Sequence, residues 1–181
     1  MATLILLRHG QSVWNAANKF TGWTDVELSP KGEEEATQAG LDLSEIAFDT
    51  IYTSDLIRAQ RTAEIAMSYN KKSGEIPTVF DCRLNERHYG SLTGLNKDEM
   101  KKKLGEKKVH EFRRSWNISP EPLSKKNPYH PVNIETYKNI PSKNIPDTES
   151  LKDTYERVFP YFKKEILSKL ENNKNIIISA H

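Results

Sequence analysis

Thr3-Leu4-Ile5-Leu6-Leu7-Arg8-His9-Gly10-Gln11-Ser12 begins as an apolar run and stops at an arginine, a histidine and a glycine. A short run of large apolar residues, Leu4 to Leu7, closed by a glycine turn, reads as a buried strand. A second apolar run, Asn175-Ile176-Ile177-Ile178-Ser179-Ala180, delivers another histidine, His181. Parallel strands of an α/β sheet bring their carboxyl ends to one edge, where ligands bind. Two strands that each lead into a histidine therefore point to one shared site.

Between these runs, strand and helix signals alternate. Ser29-Pro30 starts a helix, with serine as the cap and proline at the first helical position. Glu33, Glu34 and Glu35 follow where the helix dipole favours acids, and Ala36, Ala39, Leu43 and Ile46 continue at helical spacing. Residues 49–53 read as a strand, with Ser54 capping a helix that runs to about Tyr69. Residues 76–80 read as a third strand, which Pro77 confines to an edge or a strand start. Lys97 to Arg114 reads as two helical stretches broken at Gly105. Leu151, Tyr155, Val158, Phe162 and Ile166 predict an amphipathic helix over residues 148–170, kinked at Pro160. This alternation predicts an α/β fold, a three-layer sandwich on a mainly parallel sheet flanked by helices. Residues 117–147 hold six of the nine prolines and read as an insertion loop within a single domain spanning 1–181.

Composition excludes several functions. Lys+Arg 27 against Asp+Glu 25 leaves a net charge of +2, so no global basic field argues for nucleic acid. Lys101-Lys102-Lys103 and Lys107-Lys108 read as a solvated helix face. One cysteine, Cys82, excludes an internal disulfide framework, fits a reducing compartment and reads as a packed thiol. The first apolar run is too short for a signal-peptide core or a membrane span, which makes a soluble cytoplasmic protein the default. No group of His, Cys and Asp has metal-ligand spacing, so no metal is expected.

Several residues suit phosphate chemistry. A neutral imidazole attacks a phosphoryl group and holds it as phosphohistidine, splitting one hard transfer into two easier ones. Cations must surround that phosphate, because phosphoryl transfer is mostly positioning and charge stabilisation. Arg8 stands beside His9, and its planar fork suits phosphate oxygens. Gly10 lets the backbone turn tightly and approach a ligand. Arg58 lies near the start of the second helix, at the same sheet edge; a surface arginine is the competing reading. Arg83-Leu84-Asn85-Glu86-Arg87-His88-Tyr89-Gly90 sets one acid, Glu86, among cations, as a general acid/base or as a turn-stabilising salt bridge. Arg113-Arg114 ends a helix favourably or clamps a second anion.

Taken together, these segments resemble the histidine phosphatase superfamily, and within it the cofactor-dependent phosphoglycerate mutases. The resemblance rests on residues Arg8 to Asn15, on Phe20-Thr21-Gly22-Trp23 through Ser29, and on Leu84-Asn85-Glu86-Arg87-His88-Tyr89-Gly90 through Lys97. It extends to Arg113-Arg114 and Glu149-Ser150-Leu151-Lys152-Asp153-Thr154. It implies that His9 is the phosphorylated nucleophile, and that Arg8, Arg58 and His181 stabilise the transferred group. It implies that Glu86 moves the proton of the substrate hydroxyl. Gly10, Gln11, Ser12, Asn15, Thr21, Gly22, Arg87 and His88 would line the pocket, while Tyr89, Lys97, Arg113 and Arg114 would hold the carboxylate and the non-reacting phosphate.

The implied reaction interconverts 3-phosphoglycerate and 2-phosphoglycerate, with 2,3-bisphosphoglycerate as priming cofactor and no metal. The implied partners are small phosphoglycerates, without nucleic acid or membrane, and a homo-oligomer, dimer or tetramer, is an open expectation. The family continues after the matching histidine with a Gly-Asn-Ser turn, a helix and a further strand. A phosphoglycerate mutase-like fold lacking its last elements is therefore expected, with weaker folding or binding than a longer chain. A phosphatase of the same superfamily and an inactive ligand-binding fragment are the alternatives.

Overall fold

The structure is a computed structural model that describes residues 1–72 and 74–181. Four strands, β1 (Leu4–Arg8), β2 (Thr50–Thr53), β3 (Thr78–Phe80) and β4 (Ile176–Ala180), form one parallel sheet in the order β1-β4-β2-β3. The helices are α1 (Val13–Ala16), α2 (Pro30–Asp42), α3 (Ile57–Ser68), α4 (Lys97–Leu104), α5 (Glu106–Arg114), α6 (Leu151–Tyr161) and α7 (Ser168–Glu171).

The described residues divide into two compact units. The first holds Met1–Val13, Val26–Asn85 and Arg157–His181, and so contains the whole sheet. Strand β4 lies between β1 and β2, and its alternating side chains feed two cores. Ile177 packs with Phe48, Ile51 and Ala63, against Leu43, Ile46 and Met67. Ile176 and Ile178 pack on the other face with Tyr52, Tyr161 and Ile166. Helices on both faces make a sheet between two layers, and each fully buried isoleucine contributes about 2–3 kcal/mol. Register then aligns the strand ends: Arg8 pairs with Ala180 and Thr53 with Ser179. His9, Ser54 and His181 consequently leave the sheet side by side.

The second unit comprises Trp14–Asp25 and Glu86–Glu156. Its core gathers Phe20, Leu92, Met100, Val109 and Phe112. Residues 117–147 contain three short 3₁₀ turns, Pro131–Asn133, Glu135–Tyr137 and Ser142–Asn144. Their interior is tied down by buried Leu123, His130, Tyr137 and Ile145. Tyr137 Oη donates to the Trp23 carbonyl at 2.8 Å.

The predicted elements shift in instructive ways. Ser29 caps α2 as expected, its hydroxyl accepting from Gly32 N–H at 3.2 Å. Ser54 is not the N-cap of α3: the helix begins at Ile57 after Leu56, and the Ser54 hydroxyl accepts from Leu56 N–H at 3.3 Å while it also meets His181 Nε2. β3 starts after Pro77 at a sheet edge, where a missing N–H costs nothing. Helices α4 and α5 meet at Gly105, whose φ is 85°. The last long helix begins at Leu151, behind a reciprocal cap in which Ser150 N–H and hydroxyl reach Asp153 Oδ2, and Asp153 N–H reaches Ser150 Oγ. After Pro160, residues Phe162–Leu167 wind as a π-helix before α7, the looser winding expected where proline removes a ladder donor.

The turn after β1 is set by backbone contact. A Cβ at Gly10 would lie 2.2 Å from the Gly32 carbonyl oxygen, and one at Gly32 would lie 2.1 Å from the Gln11 oxygen. Neither clash is with a side chain that can swing away. We expect Gly10→Ala and Gly32→Ala each to cost at least about 2 kcal/mol in urea denaturation, whereas Gly74→Ala, with nothing within 4 Å, leaves the midpoint within experimental spread. A stable Gly10→Ala protein would disprove this packing.

Candidate active site

His9 is buried, and its backbone N–H donates to the Ala180 carbonyl at 3.0 Å, continuing the β1–β4 ladder by one residue. Its Nδ1 lies 2.6 Å from the Gly10 carbonyl oxygen. A carbonyl only accepts, so the proton belongs on Nδ1 and the Nε2 lone pair is exposed to chemistry. Burial, then the Arg58 charge, lowers the imidazole pKa to about 4, with Arg8 adding to the effect. His9 is therefore a neutral base at physiological pH.

The turn that follows is braced at each residue. Gly10 N–H donates to Thr62 Oγ1 at 3.1 Å, and that hydroxyl donates to the Arg58 carbonyl at 2.7 Å. Gln11 N–H donates to Glu35, and Ser29 donates through both its backbone N–H and its hydroxyl to Gln11 oxygens. Ser12 is fully buried and bridges to Leu28. Gln11 and Ser12 thus hold the turn against the start of α2.

His181 stands beside His9, the ring centroids 5.0 Å apart at an interplanar angle of 60°. Its Nε2 is hydrogen-bonded to Ser54 Oγ at 2.8 Å. The residue is exposed as a whole, while its imidazole is turned toward these two neighbours. Burial of the ring, then the charge of Arg58, hold its pKa well below the ordinary value, with His9, Arg157 and Arg8 contributing. Arg58, in the first turn of α3, is completely buried, whereas Arg8 is exposed. Two neutral imidazoles thus stand in the positive field of Arg58 and Arg8 without spending their own lone pairs on protons. That is the electrostatics an anionic phosphate ester requires. Arg61, the neighbour one turn along, is turned to Glu33 and Glu64 instead. Cys82 is half-buried, and burial with Asp55 and Asp81 raises its thiol to about 11, so it is inert as a nucleophile at neutral pH.

The second unit carries the other expected residues. Gly22 has φ 60°, and a Cβ there would meet Tyr89 N at 3.2 Å and the Arg87 carbonyl oxygen at 3.3 Å. The Phe-Thr-Gly-Trp string is thereby explained: glycine lets residues 20–23 lie directly on segment 87–89. Thr21 is buried, and Asn15 and Lys97 are half-buried. The Arg87 guanidinium sits 4.8 Å from the Tyr89 ring centroid, and Lys97 Nζ 5.9 Å from that of Phe20. Buried His88 accepts from Gly90 N–H through Nδ1 at 2.9 Å, and its backbone exchanges hydrogen bonds with Glu149. Glu86 is half-buried. Arg113 and Arg114 close α5, the first half-buried and the second exposed. Sequence reasoning missed Ser54 as the partner of His181 and Arg157 as the partner of the turn before Glu86. The first was hidden by its resemblance to a helix cap, and the second stood on an ordinary helix face.

Residues 4–133 match the histidine phosphatase superfamily (branch 1), the class that this histidine-bearing sheet edge defines. Over the whole chain, the sequence is 56% identical to the 2,3-bisphosphoglycerate-dependent phosphoglycerate mutase of Pelagibacter ubique, covering 76% of that protein. It is 46% identical to the enzyme of that name from Parabacteroides distasonis, again over the whole chain and 73% of the relative. The chain therefore belongs to the 2,3-bisphosphoglycerate-dependent phosphoglycerate mutase family of the histidine phosphatase superfamily, and it spans about three quarters of those relatives' length. Two solved structures share the fold: the phosphoglycerate mutase of Bacillus anthracis, with TM-score 0.70, 24% identity and coverage of 99% of this chain and 74% of that one, and the α-ribazole phosphatase of Shigella flexneri, with TM-score 0.69, 22% identity and coverage of 98% and 73%.

The His9 environment has a measurable consequence. Its folded pKa of about 4 lies below the ordinary 6.5, so the unfolded chain binds a proton that the folded one refuses. Folding is consequently disfavoured progressively as pH falls from about 6.5 to about 4, by up to about 3 kcal/mol at the lower limit, and is unaffected by this group above that window. Urea midpoints measured across that range should fall less steeply for His9→Asn than for the unmodified protein. Parallel slopes would show that His9 is not a buried neutral base.

Proposed function

We propose that this chain interconverts 3-phosphoglycerate and 2-phosphoglycerate through a phosphohistidine at His9. The observation that carries this reading is the hydrogen bond between His9 Nδ1 and the Gly10 carbonyl, which presents Nε2 as the nucleophile on a neutral ring. Nε2 attacks the phosphorus of a phosphate ester. The P–O bond breaks with its electron pair going to the sugar-acid oxygen, which takes a proton from Glu86. In the return step a substrate hydroxyl gives its proton to Glu86 as its oxygen attacks phosphorus on His9, and the N–P electron pair returns to Nε2. Arg58, Arg8 and His181 stabilise charge on the transferred group throughout.

Bound 2,3-bisphosphoglycerate supplies the priming phosphoryl group, and the donor chemistry fits it, since Arg58 and Arg8 set positive charge around the His9 nucleophile. Asn15, Thr21, Gly22, Arg87 and His88 line the substrate's path, and Tyr89, Lys97, Arg113 and Arg114 hold its carboxylate and second phosphate. No metal takes part. Residues 1–181 act as one catalytic domain with 117–147 inserted in it, in the cytoplasm, as a dimer or tetramer. Water must be kept from phosphohistidine, because its attack gives hydrolysis in place of transfer.

The test is to expose the protein to labelled 2,3-bisphosphoglycerate and to follow isomerisation by an enolase-coupled assay. Acid-labile phosphate should appear on His9, and turnover should fall by more than about 10³-fold in His9→Asn. Labelling without isomerisation would replace the reading with a phosphatase. Absence of both would leave a chain that binds ligands without turning them over.

A further inference from the structure

Arg157, on α6, directs its guanidinium at the backbone of a single turn. Its Nη1 lies 3.2 Å from the Cys82 carbonyl oxygen, 2.9 Å from that of Arg83 and 3.2 Å from that of Asn85, and Nη2 lies 3.2 Å from the Asn85 oxygen again. The Arg83 and Asn85 carbonyls lie at the end of the short 3₁₀ helix Cys82–Leu84, where backbone oxygens run out of internal donors and the dipole favours a cation, while the Cys82 carbonyl also accepts from Asn85 N–H at 3.0 Å. The other end of that turn is capped by Asp81, which accepts from Arg83 N–H at 2.8 Å. The turn is thus fixed at both ends by charged side chains.

What the turn carries makes the clamp more than a fold feature. Asn85, nearly fully buried, accepts from Asp55 N–H through Oδ1 at 3.0 Å. Asp55 follows Ser54, whose hydroxyl meets His181 Nε2. The residue covalently next to Asn85 is Glu86. One guanidinium therefore sets the peptide from which the Glu86 side chain departs and, through Asn85 and Asp55, the serine that orients His181. We infer that Arg157 is a positioning residue for the reaction, holding turn 82–85 so that Glu86 and His181 stand ready before substrate arrives. Lysine cannot substitute, because a point charge on a flexible stem does not span three carbonyls as the rigid fork does.

This inference rests on the proposed roles of Glu86 and His181, and the full chain separates the two. The unmodified protein is first assayed for His9 phosphorylation and isomerisation; failure there strikes the functional reading itself. With that activity in hand, Arg157→Lys and Arg157→Ala are compared by thermal midpoint, kcat and KM. The lysine variant should stay folded near the parental midpoint while kcat falls about 10- to 100-fold, as misplacement of catalytic groups by about 1 Å predicts, with KM within about twofold. The alanine variant should lose at least as much kcat. A folded lysine variant with parental kcat would overturn the inference, and so would loss in KM alone. Unfolding of both variants would likewise overturn it, by making Arg157 a residue that only the fold needs.

Discussion

The hydrogen bond from His9 Nδ1 to its neighbour's carbonyl is the constraint on which the rest depends. It requires the Gly10 peptide to turn back toward the imidazole, and that turn must be held against helix α2. The space is so tight that both contacting residues are glycine. Thr62 and Glu35 then take the N–H groups of Gly10 and Gln11, and Ser29 donates to the Gln11 side chain, so the turn's polar groups hold it in this shape. The tautomer of the His9 imidazole thus follows from main-chain geometry, because its partner is a backbone carbonyl that can only accept.

The second constraint is register. β1, β4 and β2 pair so that Arg8, Ala180 and Thr53 end together, and the residues just beyond them are His9, His181 and Ser54. A one-residue slip would turn Ile177 toward the Tyr52 face and Ile176 and Ile178 toward the Phe48 face, costing burial on both sides of the sheet. Hydrophobic packing of three isoleucines thus sets the separation of two imidazoles. The positive charge is placed with equal economy, since buried Arg58 acts on both rings from the first turn of α3.

Much of this is legible in the sequence, and the reasons are local. The strands ending in His9 and His181 are apolar runs with polar stops, and Ser29-Pro30 is a helix start whose chemistry lies within four residues. Gly105 breaks a helix because its φ of 85° suits glycine. Illegible features share one cause, a commitment to distant partners. Ser54 reads as a cap because serine before a helix usually is one, and its hydroxyl does accept from Leu56 N–H, but it also meets His181, 127 residues away. Arg157 falls on an ordinary amphipathic helix, and only the fold brings it to carbonyls 72 to 75 residues earlier. The proline-rich stretch 117–147 offers no periodicity, yet Tyr137 and His130 are buried in it, with the Tyr137 hydroxyl on the Trp23 carbonyl and the His130 ring between Asp147 and Val132 N–H, contacts that no pattern announces.

The solved structures that share this fold carry the names of a mutase and a phosphatase at nearly equal TM-scores, so the fold does not separate the two chemistries. What transfer demands beyond hydrolysis is a second anchor that retains the sugar acid while phosphate sits on histidine, and walls that deny water the same approach. The first unit offers the histidine pair and its arginines, which on the proposed roles would serve either reaction. Discrimination must therefore reside in residues that contact the rest of the substrate. Within the second unit, Gly22 lets the backbone of residues 20–23 lie close on segment 87–89. Segment 87–89 is itself held through His88 by the buried Glu149 carboxylate. On the proposed roles of Thr21, Arg87 and Tyr89, mutase chemistry is thus a demand on the packing of residues 20–23 and 87–89 as much as on the identity of the nucleophile.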